Sequence, residues 1–85
     1  MSLAVTVRIY IKPRCSLCKV AQRVLEEIGT RVTFVLEVVD IRDRPDTWER
    51  YRHAVPVVTV DGEEVARLRV DAAALESRLR GTTVA

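Results

Sequence analysis

The chain has 85 residues, with 14 lysines and arginines, 12 aspartates and glutamates, and only two cysteines. This length suits one domain with a single core, and a composition that is 48% hydrophobic and 31% charged argues against disorder. Two cysteines are too few for a framework of several disulfides or for a four-cysteine zinc site within one chain. The net charge of +2 is small and basic residues are interleaved with acidic ones, so we expect no binding to nucleic acid or membrane.

The first predicted elements are a strand and an amphipathic helix. β-Branched residues recur at every second position over residues 5–11, which is typical of a strand, and Pro13 ends it. Apolar residues then follow helical spacing, and Gly29 marks the end of the helix. The residues predicted to form its apolar side are Leu17, Val20, Ala21, Val24, Leu25 and Ile28.

The middle of the chain predicts a second strand and a short helix. Alternating apolar residues place the strand over residues 32–41. Pro45 suits the first turn of the helix, which carries Trp48 and Tyr51. We expect these two aromatic side chains to pack in the core or at its rim.

The last third of the chain predicts a hairpin and a final helix. Asp61 and Gly62 lie between two apolar runs and favour a tight turn that joins strands over residues 57–60 and 64–70. Asp71 is placed to cap a helix that ends at Gly81. Its inward residues are predicted to be Ala72, Leu75 and Leu79, and the tail beyond it is expected to be frayed.

The predicted order is βαβαββα in one domain over residues 1–85, with a core of about residues 4–80. A βαβ unit makes its two strands parallel, whereas the hairpin adds two antiparallel strands. The sequence therefore predicts an α/β fold in which three helices flank a four-stranded mixed sheet. Arg8, on an inner strand, is expected to pair with Glu37 on the neighbouring strand or to reach out beside a helix end.

The N-terminal segment lacks the charged region and cleavage site of a signal peptide, and no apolar run reaches the length of a membrane span. We therefore expect a cytoplasmic protein. In that reducing compartment, a close pair of cysteines is more often catalytic or metal-binding than structural.

Cys15 and Cys18 lie at the junction between the first strand and the helix. A thiol reacts as the thiolate, and the unpaired amides and dipole of a helix N-terminus stabilise that anion. Lys12, Arg14 and Lys19 add positive charge nearby. Cys15 is therefore the expected nucleophile, and Cys18, one turn further into the helix and less exposed, is the expected resolving thiol.

A C-x-x-C pair has alternative uses. A metal or iron–sulfur site needs two more ligands, and His53 is the one histidine, so such a site would require a carboxylate or a symmetric dimer. A purely structural disulfide across three residues would stabilise the chain little. We favour redox chemistry, because C-x-x-C beside a βαβ unit is typical of thioredoxin-like redox motifs.

The segment around the cysteines resembles glutaredoxins. Residues 9–18, I-Y-I-K-P-R-C-S-L-C, are similar to their strand-to-active-site segment, which ends in C-P-Y-C, and A-V-P at residues 54–56 occupies the place of their T-V-P. The resemblance covers about residues 4–80 and extends to short bacterial glutaredoxin-like proteins with C-x-L-C. It implies the thioredoxin fold and a thiol-disulfide oxidoreductase in electron transport and cell redox homeostasis, with no metal or organic cofactor.

Carried over to this sequence, the resemblance implies that Cys15 is the nucleophile, Cys18 the resolving thiol and Pro56 a cis-proline beside them. A cis bond turns the chain so that the backbone of Val55 can pair with an extended substrate. Lys12 matches a position that meets a carboxylate of glutathione, and the alternative is a solvated lysine that tunes Cys15.

The sequence departs from glutaredoxins where glutathione would bind. Ser16 and Leu17 stand in place of Pro-Tyr, Ala54 stands in place of Thr, and the glycine pair after the hairpin is absent. Arg67 and Arg69 are alternative hydrogen-bond donors to a carboxylate there. Disulfide exchange is therefore expected, whereas glutathione stays open as a substrate or reductant.

The expected partners are a disulfide-containing protein or a small thiol, together with a cellular dithiol reductant, and we expect a monomer. A thioredoxin-like electron donor to one protein partner is an alternative, although the chain lacks the W-C-G-P-C of thioredoxins. A metal- or cluster-binding module is the alternative from another class.

Overall fold

The computed structural model describes residues 4–82. The predicted order βαβαββα is confirmed, with a 3-10 turn added before the second helix. The elements are β1 (Thr6–Ile11), α1 (Ser16–Ile28), β2 (Val35–Asp40), the 3-10 turn (Ile41–Asp43), α2 (Pro45–Tyr51), β3 (Val57–Val60), β4 (Glu63–Arg67) and α3 (Ala72–Thr82). The tail predicted to be frayed lies mostly outside the described residues.

The four strands form one mixed sheet in the order β2-β1-β3-β4. β1 is parallel to β2 and antiparallel to β3, and β3 is antiparallel to β4. This is the predicted α/β architecture. In the β1–β2 register Arg8 lies opposite Glu37, and its Nε donates to Oε1 of that carboxylate at 2.9 Å, which confirms the predicted pair.

Successive strand residues point to opposite sides, and hydrophobic side chains pack on both faces of the sheet, although Arg8 and Glu37 leave part of one face polar and exposed. On one face, Ile9 packs with Leu25 of α1 and Leu79 of α3, and all three have no exposed surface. On the other face, a second buried cluster contains Ile41 and Tyr51. The aromatic residues of α2 thus pack as predicted, with Trp48 against this cluster.

The packed side of α1 differs from the predicted set of apolar residues. Val20 is 54% exposed, whereas Cys18, which was not among that set, is only 2% exposed. The helix begins at Ser16, so its face toward the sheet follows Cys18, Ala21, Leu25 and Ile28, and Val20 lies beyond the edge of that face.

Several boundaries also differ. β2 begins at Val35 instead of residue 32, and as an edge strand it leaves Val35 and Val38 nearly half exposed. β4 ends at Arg67 because Leu68 adopts a left-handed backbone conformation, with φ 66°. α3 continues past Gly81 to Thr82, and its predicted inward residue Ala72 is exposed.

Candidate active site

Cys15 is the N-cap residue of α1 and forms a disulfide with Cys18, with Cα atoms 5.2 Å apart. Its backbone is extended, as N-cap geometry requires, and Pro13 separates it from the end of β1. The backbone N–H of Cys18 donates to Sγ of Cys15 at 3.1 Å. The sulfur therefore occupies the acceptor position that a serine or aspartate oxygen takes at other helix starts.

The two cysteines differ in their surroundings. Cys15 is half-buried at the surface, whereas Cys18 is buried in the cluster with Ile41, Tyr51 and Val57. A substrate approaching from solvent can therefore reach Cys15 first. This is the asymmetry that the sequence predicted.

The Val55–Pro56 peptide bond is cis, as predicted, and both residues are buried. The N–H of Val55 donates to the carbonyl oxygen of Tyr51 at 3.1 Å, so this amide already has a partner within the fold. The carbonyl oxygen of Pro56 accepts from the N–H of Leu68 at 2.8 Å. Residues 54–56 are thereby fixed between the end of α2 and the end of β4.

Lys12 joins two elements next to the cysteines. Its Nζ donates to the carbonyl oxygen of Arg52 at 2.8 Å, immediately after the last residue of α2. A cation at the C-terminal end of a helix is favourably placed. Lys12 is half-buried, and its role toward a substrate carboxylate or toward Cys15 stays a prediction.

A shallow groove of about 360 Å³ runs beside Cys15. It is basic and apolar, and no aspartate or glutamate is among the described residues that line it. Besides Cys15, these residues are Lys12, Arg14, Ser16, Leu17, Arg52, His53, Val55 and Leu68.

Sequence reasoning missed the position of Leu68 in this groove and placed Arg67 or Arg69 there. Arg67 instead donates to the Glu64 carboxylate at 2.7 and 2.8 Å, and Arg69 lines a different groove, between β4 and α3. Leu68, whose backbone is left-handed, lines the groove together with Cys15. No residue pattern in the sequence indicates a left-handed leucine.

Within residues 4–82, no group of three or more histidine, cysteine, aspartate or glutamate side chains is placed to hold a metal ion. None of the described helices is long and apolar enough to span a membrane.

Solved structures with the same architecture include several thioredoxins. A mutant thioredoxin from Halobacterium salinarum NRC-1 matches with a TM-score of 0.72 and 20% identity over 95% of this chain and 76% of that one. Reduced Schistosoma mansoni thioredoxin pre-protein matches with a TM-score of 0.69 and 19% identity over 93% and 79% of the two chains. Oxidised thioredoxin from Plasmodium falciparum matches with a TM-score of 0.65 and 20% identity over 94% and 82%. The chain therefore has the thioredoxin fold.

The family is given by a match to the glutaredoxin-like domain (DUF836) over residues 6–80. The chain belongs to this glutaredoxin-like family, as its motifs indicated. The family, the fold and the Cys15–Cys18 pair together support a role of the thiol oxidoreductase type.

Proposed function

We propose that the protein is a dithiol–disulfide oxidoreductase in which Cys15 is the nucleophile and Cys18 the resolving thiol. The observation that carries this assignment is the N-cap position of Cys15, whose Sγ accepts the Cys18 amide while Cys18 itself is buried. An amide that faces the sulfur stabilises a thiolate, and the thiolate is the reactive form.

The reaction transfers two electrons. In the reduced protein the Cys15 thiolate attacks one sulfur of a substrate disulfide, forms a mixed disulfide and releases one substrate thiolate, which takes a proton from solvent. Cys18 then loses its proton and attacks Sγ of Cys15, which releases the second substrate thiol and leaves the Cys15–Cys18 disulfide. A cellular dithiol reductant restores the reduced form by the same exchange.

Three further residues shape this site. The N–H of Val55 already donates a hydrogen bond to Tyr51. The carbonyl oxygen of Val55, beside the cis bond of Pro56, is therefore the group proposed to pair with an extended substrate. Lys12 contributes positive charge to the groove and holds the end of α2 against it.

The partners and compartment follow from the chemistry. A disulfide-containing protein or the disulfide of a small thiol is the proposed substrate, acted on by a monomer. Because regeneration requires a supply of reducing equivalents, we place the reaction in the cytoplasm, in electron transport and redox homeostasis.

Trapping with a Cys18→Ser variant tests the mechanism. This variant should attack substrate but not resolve the product, so mixed disulfides through Cys15 should accumulate and disappear on addition of dithiothreitol. The matched control Cys15→Ser should trap nothing. If Cys18→Ser also traps nothing and the wild-type protein does not reduce hydroxyethyl disulfide, the assignment is wrong.

Metal analysis of freshly purified protein tests the alternative class. The redox assignment expects no stoichiometric iron or zinc. Stoichiometric metal that is lost in Cys15→Ser would instead support a metal- or cluster-binding module.

A further inference from the structure

The groove beside Cys15 has a positively charged lining. Lys12, Arg14, Arg52 and His53 line it, and no described acidic residue is among its lining. Within residues 4–82 none of the three cations Lys12, Arg14 and Arg52 forms an ion pair, although the chain has nearly as many acids as bases. Such a groove attracts carboxylates close to the reacting sulfur.

Seven of the other ten arginines form an ion pair with a nearby acid. Arg44, for example, contacts Asp46 at 3.3 Å, and Arg42 contacts Asp40 at 2.8 Å. The groove thus lacks the nearby acids that most of the other arginines have.

Two residues of the groove adopt a backbone conformation that side chains disfavour. The described non-glycine residues with positive φ are Arg14 (59°), Leu68 (66°) and Asp61 (48°), and the first two line the groove. For leucine this conformation is sterically unfavourable, and glycine would adopt it freely. Disfavoured backbone of this kind is typical of ligand-binding segments.

Leu68 also forms an exposed apolar wall. Its side chain is 45% exposed, and its N–H donates to the carbonyl oxygens of Ala54 at 3.2 Å and Pro56 at 2.8 Å. These bonds fix Leu68 next to the cis-proline. Leu17 and Val55 line the same groove.

The backbone N–H groups of Val55 and Leu68 in this groove already have hydrogen-bond acceptors within the fold. The N–H of Val55 donates to Tyr51, and the N–H of Leu68 donates to Ala54 and Pro56. A protein segment with an apolar side chain can use the leucine wall without a free backbone N–H donor there.

We propose that the groove binds an extended protein segment that carries acidic residues and one apolar residue beside its disulfide. Arg14 and Arg52 contact the carboxylates, and Leu17 and Leu68 contact the apolar side chain. This inference rests on the proposed function, since Cys15 must exchange with that disulfide.

Matched peptide disulfides test the charge preference. Three versions of one cysteine peptide are made, in which the residues flanking the cysteine are glutamates, glutamines or lysines. For each version we measure the second-order rate constant for the reaction of its disulfide dimer with the reduced protein. At low salt the glutamate peptide should react about tenfold or more faster than the lysine peptide, and salt at about 0.5 M should reduce this ratio severalfold. An Arg14→Gln, Arg52→Gln double variant should lower the ratio, whereas the control Arg44→Gln, outside the groove, should not.

Peptides with leucine or serine beside the cysteine test the apolar contact. The leucine peptide should react about threefold or more faster with wild type, and Leu68→Gly should abolish this ratio. Glycine accommodates the left-handed backbone, so this variant keeps the fold. Val38→Ala, which shortens an exposed valine on β2, is the control and should preserve the ratio.

The outcomes separate the inference from the function beneath it. If hydroxyethyl disulfide is reduced but the glutamate and lysine peptides react at equal rates, the inference that the groove binds an acidic protein segment is wrong, while the oxidoreductase function stands. Faster reaction with oxidised glutathione than with the glutamate–leucine peptide would also overturn it. If no disulfide is reduced, both the function and the inference fail.

Discussion

The backbone N–H of Cys18 donates a hydrogen bond to Sγ of Cys15 over 3.1 Å. This contact makes one cysteine the N-cap of the helix on which the other is buried, so one turn of α1 gives the two sulfurs different environments. Cys15 faces an amide and a cationic groove, whereas Cys18 faces apolar side chains.

The first prediction concerns the relative reactivity of the two thiols. In the reduced protein at pH 7, limiting iodoacetamide should modify Cys15 about tenfold or more faster than Cys18, because thiolate character and access both favour it. Mass spectrometry of proteolytic fragments measures the ratio. Under denaturing conditions the two rates should converge. Equal labelling in the native protein would contradict the asymmetric mechanism.

The second prediction concerns Lys12. Replacing it with methionine removes the donor to the Arg52 carbonyl oxygen but keeps much of the apolar stem, so the free energy of unfolding should fall by about 1 kcal/mol. Urea denaturation of the oxidised protein measures the loss. The control Lys19→Met replaces an exposed lysine on α1 and should leave stability within about 0.5 kcal/mol of wild type. Equal losses of stability in the two variants would show that the hydrogen bond from Lys12 to Arg52 does not account for the effect.

Sequence patterns predicted the order of elements and several contacts because those depend on short-range rules. The parallel β1–β2 pair follows from the βαβ unit and sets Arg8 opposite Glu37. Asp71 caps α3, with its Oδ1 accepting the amide of Ala74 at 3.0 Å. The cis bond before Pro56 was indicated by the resemblance and not by local chemistry.

The differences arise where neighbouring elements decide the outcome. Val20 has the spacing of a core residue but is 54% exposed, and Val38 is 48% exposed on β2, which has no further strand beside it among the described residues. The groove also combines distant parts of the chain, since Leu68 lines it beside Cys15 and is hydrogen-bonded to Ala54 and Pro56. Periodicity identifies apolar residues, but it does not show which of them a neighbouring element covers.

The third prediction concerns pH and the ion pairs of Glu76. Its carboxylate meets Arg31 at 2.8 Å and Arg80 at 2.6 Å, and these guanidinium groups hold the pKa of Glu76 at about 2, below its usual 4.5. Because this pKa is lower in the folded state than in the unfolded state, the ionised carboxylate stabilises the fold fully above pH 4.5. That stabilisation is lost as the pH falls from 4.5 toward 2.

Comparison with Glu76→Gln isolates this contribution. The variant should be slightly less stable than wild type at pH 7, and the two stabilities should converge between pH 4.5 and 2. The effect should be small and should weaken with salt, because the pairs lie at the surface. Urea denaturation across this pH range measures it, with Glu49→Gln on α2 as the control. A difference that stays constant down to pH 2 would show that ionisation of Glu76 is not its source.

The final prediction separates the packing of α1 from its sequence periodicity. Both Val20 and Leu25 fit the apolar spacing, yet Val20 is 54% exposed and Leu25 is fully buried against β1 and α3. Leu25→Ala should lower the free energy of unfolding by about 2–5 kcal/mol through lost burial and a cavity. Val20→Ala should change it by less than about 0.5 kcal/mol, since alanine loses little contact there and favours the helix. Thermal and urea denaturation of the two variants measure this contrast, and comparable destabilisation by both would mean that Val20 is covered, by a rotated α1 or by a second molecule.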